Sequence, residues 1–364
     1  MDPIKILIVD DDVISRMLLR TVLEKEDDLK VVGLSPDGER CIANIPLQNP
    51  DVVTLDIEMP GMDGIETLKR IRASWPDLPV IMYSSSAEAG AEITLQALDL
   101  GASDFVTKPA GRSIDVFPID AMRRKLIPMI RGLAKGTEKT SSELAERQAR
   151  ARQSWNKHKS SAPIDIVAIG LSTGGPKALA KVIPQIPGDL AVPVVLVQHM
   201  PEGFTALLAE RLDDLSELTV VEGKEDMRLE PGTLYIAPGG HHMSVVREGG
   251  AVRLATNQDA KVHFCRPAVD VLFRSVNEVY GANTLAVVMT GMGYDGRDGA
   301  ELLQENGARV FIQDEASCVV WGMPGSIAAA GIPHEVFPLN DIAKEISTRV
   351  KRLGQTSSCQ SKSA

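Results

Sequence analysis

Ile4-Lys5-Ile6-Leu7-Ile8-Val9-Asp10-Asp11-Asp12 opens the chain with a short apolar run that ends in three consecutive carboxylates. A run this brief and this rich in β-branched residues reads as a strand buried on both faces. Three later runs are built alike: Asp51 to Leu55 ends at Asp56, Pro79 to Tyr83 ends at Ser84, and Asp104 to Thr107 ends at Lys108. Val31 to Leu34 supplies a weaker fifth run. Helical patterns lie between them, such as Ser15 to Glu24 and Ala91 to Leu100, the second stopped by Gly101. Buried runs alternating with helices predict a doubly wound parallel sheet, here a (βα)5 domain.

The pattern then breaks and starts again. Val116 to Leu133 is a candidate last helix, interrupted by Pro118 and Pro128. Residues 135–161 are polar, with a basic end from Arg147 to Lys159, and read as a solvated linker. A second α/β pattern begins at Ile164, with strand candidates at Ile164–Ile169, Val192–Val197, Thr233–Ile236, Leu285–Met289 and Arg309–Ile312. Helices are expected over Pro176–Val182, Phe204–Asp213, Ala268–Tyr280 and Asp298–Asn306. The expected organisation is a first α/β domain over 1–125, a linker over 126–161, a second doubly wound parallel-sheet α/β domain over 162–352, and a flexible tail over 353–364.

Composition narrows the function classes. A formal net charge of −10 disfavours nucleic acid as the main partner, since phosphate backbones want a basic surface. No stretch reaches the roughly 18 to 20 apolar residues that span a bilayer, and the N-terminus has no signal-peptide layout. Cys41, Cys265, Cys318 and Cys359 are far apart and form no CxxC pair, which fits reduced thiols in a cytoplasmic protein and not a disulfide frame or a zinc site. The chain is expected to be monomeric, without membrane insertion.

Two chemical sites emerge from where the strands end. A parallel sheet offers its ligand site at the carboxyl ends of its strands. Asp10, Asp11, Asp56 and Lys108 therefore meet at one edge, and carboxylates crowd there only with a hard cation or a proton between them. Mg²⁺ suits such oxygen ligands. A phosphoryl group on one Asp would be neutralised by the metal and by Lys108, with Ser84 within reach. Asp residues after strands also cap helices, and that is the competing reading.

In the second half, Gly170-Leu171-Ser172-Thr173-Gly174-Gly175 joins an apolar run to a helix, a turn able to expose a serine and aim N–H groups at an oxyanion. A dinucleotide loop would want Gly where Ser172 stands. Of the six histidines, only His199 ends a strong strand next in sequence to the serine's own. His241 and His242 come after a Pro-Gly-Gly turn and are candidates to line the site; His263 and His334 have no strong pull towards it. Asp295, in the Gly-rich loop after Leu285–Met289, is the carboxylate expected to orient His199, with Asp298 as a competitor more suited to a helix start.

Residues 1–109 resemble a response-regulator receiver domain through Val9-Asp10-Asp11-Asp12, Asp56 to Gly64, Tyr83-Ser84-Ser85 and Asp104 to Pro109. The resemblance implies that Asp56 accepts the phosphoryl group, that Asp10, Asp11, Asp56 and the Glu58 backbone carbonyl hold Mg²⁺, and that Ser84, Phe105 and Lys108 are switch residues. Asp12 is a departure that adds charge beside the metal. Residues 164–350 resemble the catalytic domain of chemotaxis protein-glutamate methylesterases through Ile169 to Pro176, Val197 to Met200, Tyr235 to Gly240, Arg266 to Phe273 and Met289 to Gly296. That implies a Ser172–His199–Asp295 triad, with Thr173 and Met292 near the oxyanion site and Tyr294 as a departure that leaves loop packing open. It also implies hydrolysis of glutamate methyl esters on chemoreceptors, deamidation of receptor glutamines, no cofactor for the esterase, and a chemotaxis histidine kinase as phosphodonor. The unphosphorylated receiver is expected to restrain the Ser172 site, in the cytoplasm at chemoreceptor arrays.

Overall fold

The computed structural model describes residues 2–84, 88–108, 119–135 and 162–350. Ser85, Pro109, Pro118, the linker stretch 136–161 with Arg147 to Lys159 and His158, and the tail after 353 lie outside the described residues. The chain forms two compact units, divided between Lys139 and Thr140.

The first unit is a five-stranded sheet in the order β2-β1-β3-β4-β5, formed by β1 (Ile4–Val9), β2 (Leu29–Ser35), β3 (Val52–Asp56), β4 (Val80–Ser84) and β5 (Asp104–Thr107). Every pairing is parallel. Five helices accompany the strands: α1 (Val13–Leu23), α2 (Gly38–Gln48), α3 (Gly64–Ser74), α4 (Glu88–Asp99) and α5 (Ile119–Lys135). The short apolar runs are fully buried in β3 and β4, which is why they show no alternation in sequence. Strand order reverses at β1, whose neighbours are β2 on one side and β3 on the other. The crevice at that switch point lies beside Asp10 and Asp56.

Helix α5 runs past the expected boundary at residue 125. Its apolar stripe continues through Met122, Leu126, Ile127, Ile130 and Leu133, all buried, so the helix belongs to the first unit as far as Lys135. Arg131 fastens it to the turn before β2 through Glu26 and Asp28, and Arg123 reaches Glu26 as well. Pro128 sits inside the helix without ending it.

The second unit has a seven-stranded parallel sheet in the order β14-β13-β12-β6-β7-β9-β8. Its strands are β6 (Ile166–Leu171), β7 (Val194–Gln198), β8 (Thr219–Glu222), β9 (Thr233–Ile236), β12 (Thr284–Val288), β13 (Arg309–Gln313) and β14 (Glu335–Phe337). A separate antiparallel hairpin, β10 (His242–Glu248) and β11 (Ala251–Asn257), turns at Gly249-Gly250. The helices are α6 (Gly175–Val182), α7 (Phe204–Leu215), α8 (Val269–Tyr280), α9 (Arg297–Glu305), α10 (Met323–Ala330) and α11 (Leu339–Arg349). β6 is the switch strand, flanked by β12 and β7, so the loops after β6, β7 and β12 meet at one edge.

Helix α8 seals this sheet. Leu272, Phe273 and Val276 are fully buried against Ile166, Ala168, Ala286 and Val288 of the central strands. Phe273→Ala is expected to destabilise the second unit by about 3 to 5 kcal/mol, the usual cost of emptying a large aromatic from a close-packed core. In thermal unfolding the transition of the second unit should fall while that of the first stays in place; a coincident fall of both would contradict separate cores.

Candidate functional site

Each unit gathers polar side chains at the carboxyl edge of its sheet. In the first, register pairs Asp56 with Tyr83 and Ser84 with Thr107, and the Lys108 N–H donates to the Ser84 carbonyl at 2.6 Å. Asp10 and Asp56 are 0% and 2% exposed. Lys108 Nζ lies 2.6 Å from Asp56 Oδ2 and 3.1 Å from Asp10 Oδ2. Ser15 Oγ donates to Asp10 Oδ2 at 2.6 Å. Burial pushes the Asp56 carboxyl up to about 6; Lys108 opposes that rise and Asp10 adds to it. Burial works against charge on Lys108 too, but the two carboxylates carry its pKa above the usual lysine value.

Oxygens of Asp10, Asp11 and Asp56 lie within 4.8 Å of one another. One ammonium against three carboxylates leaves the pocket short of positive charge, and an all-oxygen donor set of this kind fits Mg²⁺. The Glu58 N–H approaches Asp56 Oδ1 at 3.4 Å, which brings the Glu58 backbone beside the carboxylates. Asp12 plays another part: it caps α1, accepting from the Ile14 N–H at 3.1 Å, and stands outside the carboxylate group. Gly64 is required by close approach, because a Cβ there would lie 2.1 Å from the Asp56 carbonyl oxygen. Ser84 Oγ accepts from Thr94 Oγ1 at 2.7 Å, and Phe105 is buried with Lys125 Nζ 5.2 Å from its ring centroid.

In the second unit, Leu171 pairs with Gln198, so Ser172 and His199 each stand one residue past the paired ends of adjacent strands. The His199 N–H donates to the Leu171 carbonyl at 3.2 Å. Ser172 is set by its backbone: its N–H donates to Thr290 O at 3.0 Å, and Gln198 Nε2 donates to its carbonyl at 3.0 Å. Gly291 lies against it, for a Cβ there would come 3.0 Å from Ser172 Cβ. Thr290 Oγ1 donates to Thr173 O at 2.9 Å and ties the two loops together. Among the described residues the N–H groups of Thr173 and Met292 have no acceptor, which leaves two donors open beside Ser172.

His199 Nε2 lies 2.7 Å from Asp295 Oδ2. A carboxylate only accepts, so Nε2 carries the proton and Nδ1 is the basic nitrogen. Asp295 is buried and also accepts from the Val269 N–H at 2.7 Å and the Asp270 N–H at 3.0 Å. Burial raises its pKa, but the His199 contact and these N–H donors more than offset that and hold the carboxyl below the usual range. For His199, burial opposes the charged form, yet the Cys265 sulfur and Asp295 overcome it and lift the imidazole to about 10.

One neighbour of His199 Nδ1 is a group that sequence reasoning passed over, the Cys265 sulfur at 3.6 Å. Among the described residues no hydrogen bond joins Ser172 Oγ to His199. His263 is closer to the site than its position in the chain suggested. Its Nε2 lies 2.8 Å from Asp270 Oδ2, and the Asp270 backbone is what donates to Asp295. Tyr294 packs edge-on against the His263 ring at 4.6 Å, which accounts for the larger residue beside Asp295. Asp298 is in the first turn of α9 and pairs with its neighbour Arg297, away from the His199 contact. His242 is buried against Ala260 O, His241 stays over Gly239 O, and His334 is held by Ile332 O. The signal for Asp270 was an acidic residue in the first turn of a buried helix; nothing in spacing marked Cys265 or His263.

The first unit thus has the architecture and acidic edge of a receiver, and the second is an α/β domain whose switch point collects a serine, a histidine and an aspartate. Residues 6–114 match the profile of the response regulator receiver domain family, and residues 167–346 match that of the CheB methylesterase family. A protein-glutamate methylesterase/protein-glutamine glutaminase of Trichodesmium erythraeum is 45% identical over 96% of this chain and 100% of its own length. The protein of that name from Bacillus subtilis is 40% identical over 96% and 99%. The crystal structure of the Thermotoga maritima CheB methylesterase catalytic domain is 41% identical, with a TM-score of 0.50, covering 51% of this chain and 99% of that one. The chain belongs to the protein-glutamate methylesterase/protein-glutamine glutaminase family.

The charges at the two edges predict two outcomes. A carboxyl pKa raised by folding means that the native state holds the proton more tightly than the unfolded chain. The penalty is therefore absent at low pH and grows as pH climbs from about 4 through about 6. Asp56→Asn is expected to stabilise the first unit at pH 8 without Mg²⁺ by about 1 to 3 kcal/mol, and the gain over the parent chain should shrink when Mg²⁺ is added. Thermal unfolding with and without the metal measures both. Cys265→Ser removes a group that raises the His199 pKa, so the base becomes neutral at lower pH. The acid limb of kcat/KM should move down by on the order of one pH unit, and an unmoved limb would count against the Cys265–His199 coupling.

Proposed function

We propose that the chain is a phosphorylation-activated serine esterase that hydrolyses glutamate methyl esters on chemoreceptors, and deamidates receptor glutamines at the same site. The observation that carries the catalytic half is the His199–Asp295 contact at 2.7 Å, with Ser172 one residue beyond the strand pair that also delivers His199. The names of the relatives supply the substrate class.

In this reading Ser172 Oγ attacks the ester carbonyl while His199 Nδ1 takes its proton. Asp295 holds Nε2–H and stabilises the imidazolium that forms. The negative charge on the carbonyl oxygen is met by the open N–H groups of Thr173 and Met292. Nδ1 then gives its proton to the departing methoxide, so methanol leaves and an acyl-serine remains. Water attacks that acyl group with Nδ1 again as base, and releases glutamate and free Ser172. With a glutamine side chain the leaving group is ammonia and the rest is unchanged. Gln198 and Thr290 act through Ser172, whose backbone they fix.

In the first unit Asp56 is the phosphoacceptor, with Asp10, Asp11 and the Glu58 carbonyl completing a Mg²⁺ site. Bound Mg²⁺ would shield the incoming phosphoryl charge. Lys108 holds Asp56 in place and is positioned to pair with the new charge, and Ser84 and Phe105 carry the change onward. The phosphodonor is a chemotaxis histidine kinase, and the chain works as a cytoplasmic monomer at receptor arrays. Among the described residues no helix is long and apolar enough to cross a membrane.

The test is methanol release from methyl-esterified chemoreceptor membranes. Ser172→Ala should lower the rate by several orders of magnitude, leaving a small residue due to the oxyanion donors. Release from Ser172→Ala at the parent rate would overturn the reading.

A further inference from the structure

Cys265 stands where no part of the hydrolytic reaction calls for a sulfur. It is presented by an unusual turn. Val262 and Cys265 exchange both backbone hydrogen bonds, at 3.1 and 2.8 Å, and the two residues between them, His263 and Phe264, have φ of 50° and 63°. A left-handed pair of this kind is the habit of Asn and Gly, and two bulky residues hold it only where the surroundings enforce it. The result is Sγ at 3.6 Å from His199 Nδ1.

We propose that Cys265 Sγ and His199 Nδ1 form a binding site for Zn²⁺ or a similarly soft divalent cation, and that its capture switches the esterase off. The inference rests on the reading of His199 as the base for Ser172. Zinc bonds of about 2.3 Å to sulfur and about 2.0 to 2.1 Å to nitrogen, at a tetrahedral angle, place the two ligand atoms about 3.6 Å apart. The site therefore needs little rearrangement. The other imidazole nitrogen is already held by Asp295, itself fixed by two backbone N–H groups, and this is how proteins orient a histidine that ligates zinc. The remaining positions on the metal fall to water or to the Ser172 hydroxyl. Zinc takes Cys265 as the thiolate and His199 with Nδ1 free, so the proton the pair shares passes to solvent and affinity rises with pH.

The donor atoms set this site apart from the other such groups among the described residues. Sulfur with imidazole selects zinc over magnesium, whereas Asp10, Asp11 and Asp56 offer only oxygen. The neighbouring group of His263, Asp270 and Asp295 offers no sulfur, and Asp270 Oδ1 is taken by the Gly299 N–H at 2.7 Å. A cation on Nδ1 removes the lone pair that must accept the Ser172 proton. Inhibition then needs no change of fold.

The experiment uses the full chain at constant Mg²⁺, with methanol release measured first without added zinc and then across ZnCl₂ concentrations. Micromolar Zn²⁺ should abolish release and EDTA should restore it. In Cys265→Ser, compared with its own zinc-free rate, the half-inhibiting concentration should rise at least about tenfold, the smallest loss expected from removing even an outer-shell partner. Binding is read separately with Co²⁺, which should give a thiolate charge-transfer band in the near ultraviolet that Cys265→Ser lacks. Equal zinc sensitivity in both chains, or the same cobalt band in both, would overturn the proposal. Absence of release without zinc would instead count against the esterase reading, and the cobalt spectra would still decide the cation site.

Discussion

A parallel sheet sends the carboxyl end of every strand to one edge, and both halves of this chain depend on that constraint. At β1 in the first unit and β6 in the second, the neighbouring strands diverge, so loops from three strands come together over a gap. Asp10, Asp56 and Lys108 meet over one such gap, and Ser172, His199 and the loop bearing Asp295 over the other. The cores hold those edges in register. Phe273 and its neighbours keep β6 and β12 aligned, and the buried stripe of α5 completes the core of the first unit.

The two edges treat buried carboxylates in opposite ways. Asp56 is crowded by Asp10 and answered by one lysine, so burial wins and its proton is held up to about 6. That unrelieved charge is what makes the site responsive to a divalent cation and to a phosphoryl group. Asp295 receives two backbone N–H donors and an imidazole, so hydrogen bonding wins over burial and the carboxylate stays charged. A permanently charged Asp295 fixes the tautomer of His199 and leaves Nδ1 as the nitrogen that reacts. The first site stores an imbalance, while the second is balanced before the substrate arrives.

Most of this architecture is legible in the sequence. Buried runs such as Ile4–Val9 and Val194–Gln198 pack only in the middle of a covered sheet, and the residues just past each run are carried to the same edge. Elements with weaker patterns escape. β8 and β14 are four and three residues long, too short for a period to register. The β10–β11 hairpin lies outside the expected strands, although Gly249-Gly250 between two alternating runs marks its turn. The expected organisation starts the linker at 126 although Val116 to Leu133 reads as a candidate helix, and the buried stripe through Leu133 carries that helix past Pro128 to Lys135. Asp12 reads as added charge at the metal site, yet its side chain is spent on capping α1. Cys265 and His263 reach the active centre through a tight turn, and no periodicity reports where such a turn points.

Coupling of the phosphoryl site to the esterase is tested most directly at the phosphoryl acceptor itself. Methanol release should be measured with Mg²⁺, with and without a small-molecule phosphodonor, for the parent chain and for Asp56→Asn. The donor is expected to speed release by the parent chain and to leave the variant at its basal rate. Equal stimulation of both chains would contradict the coupling.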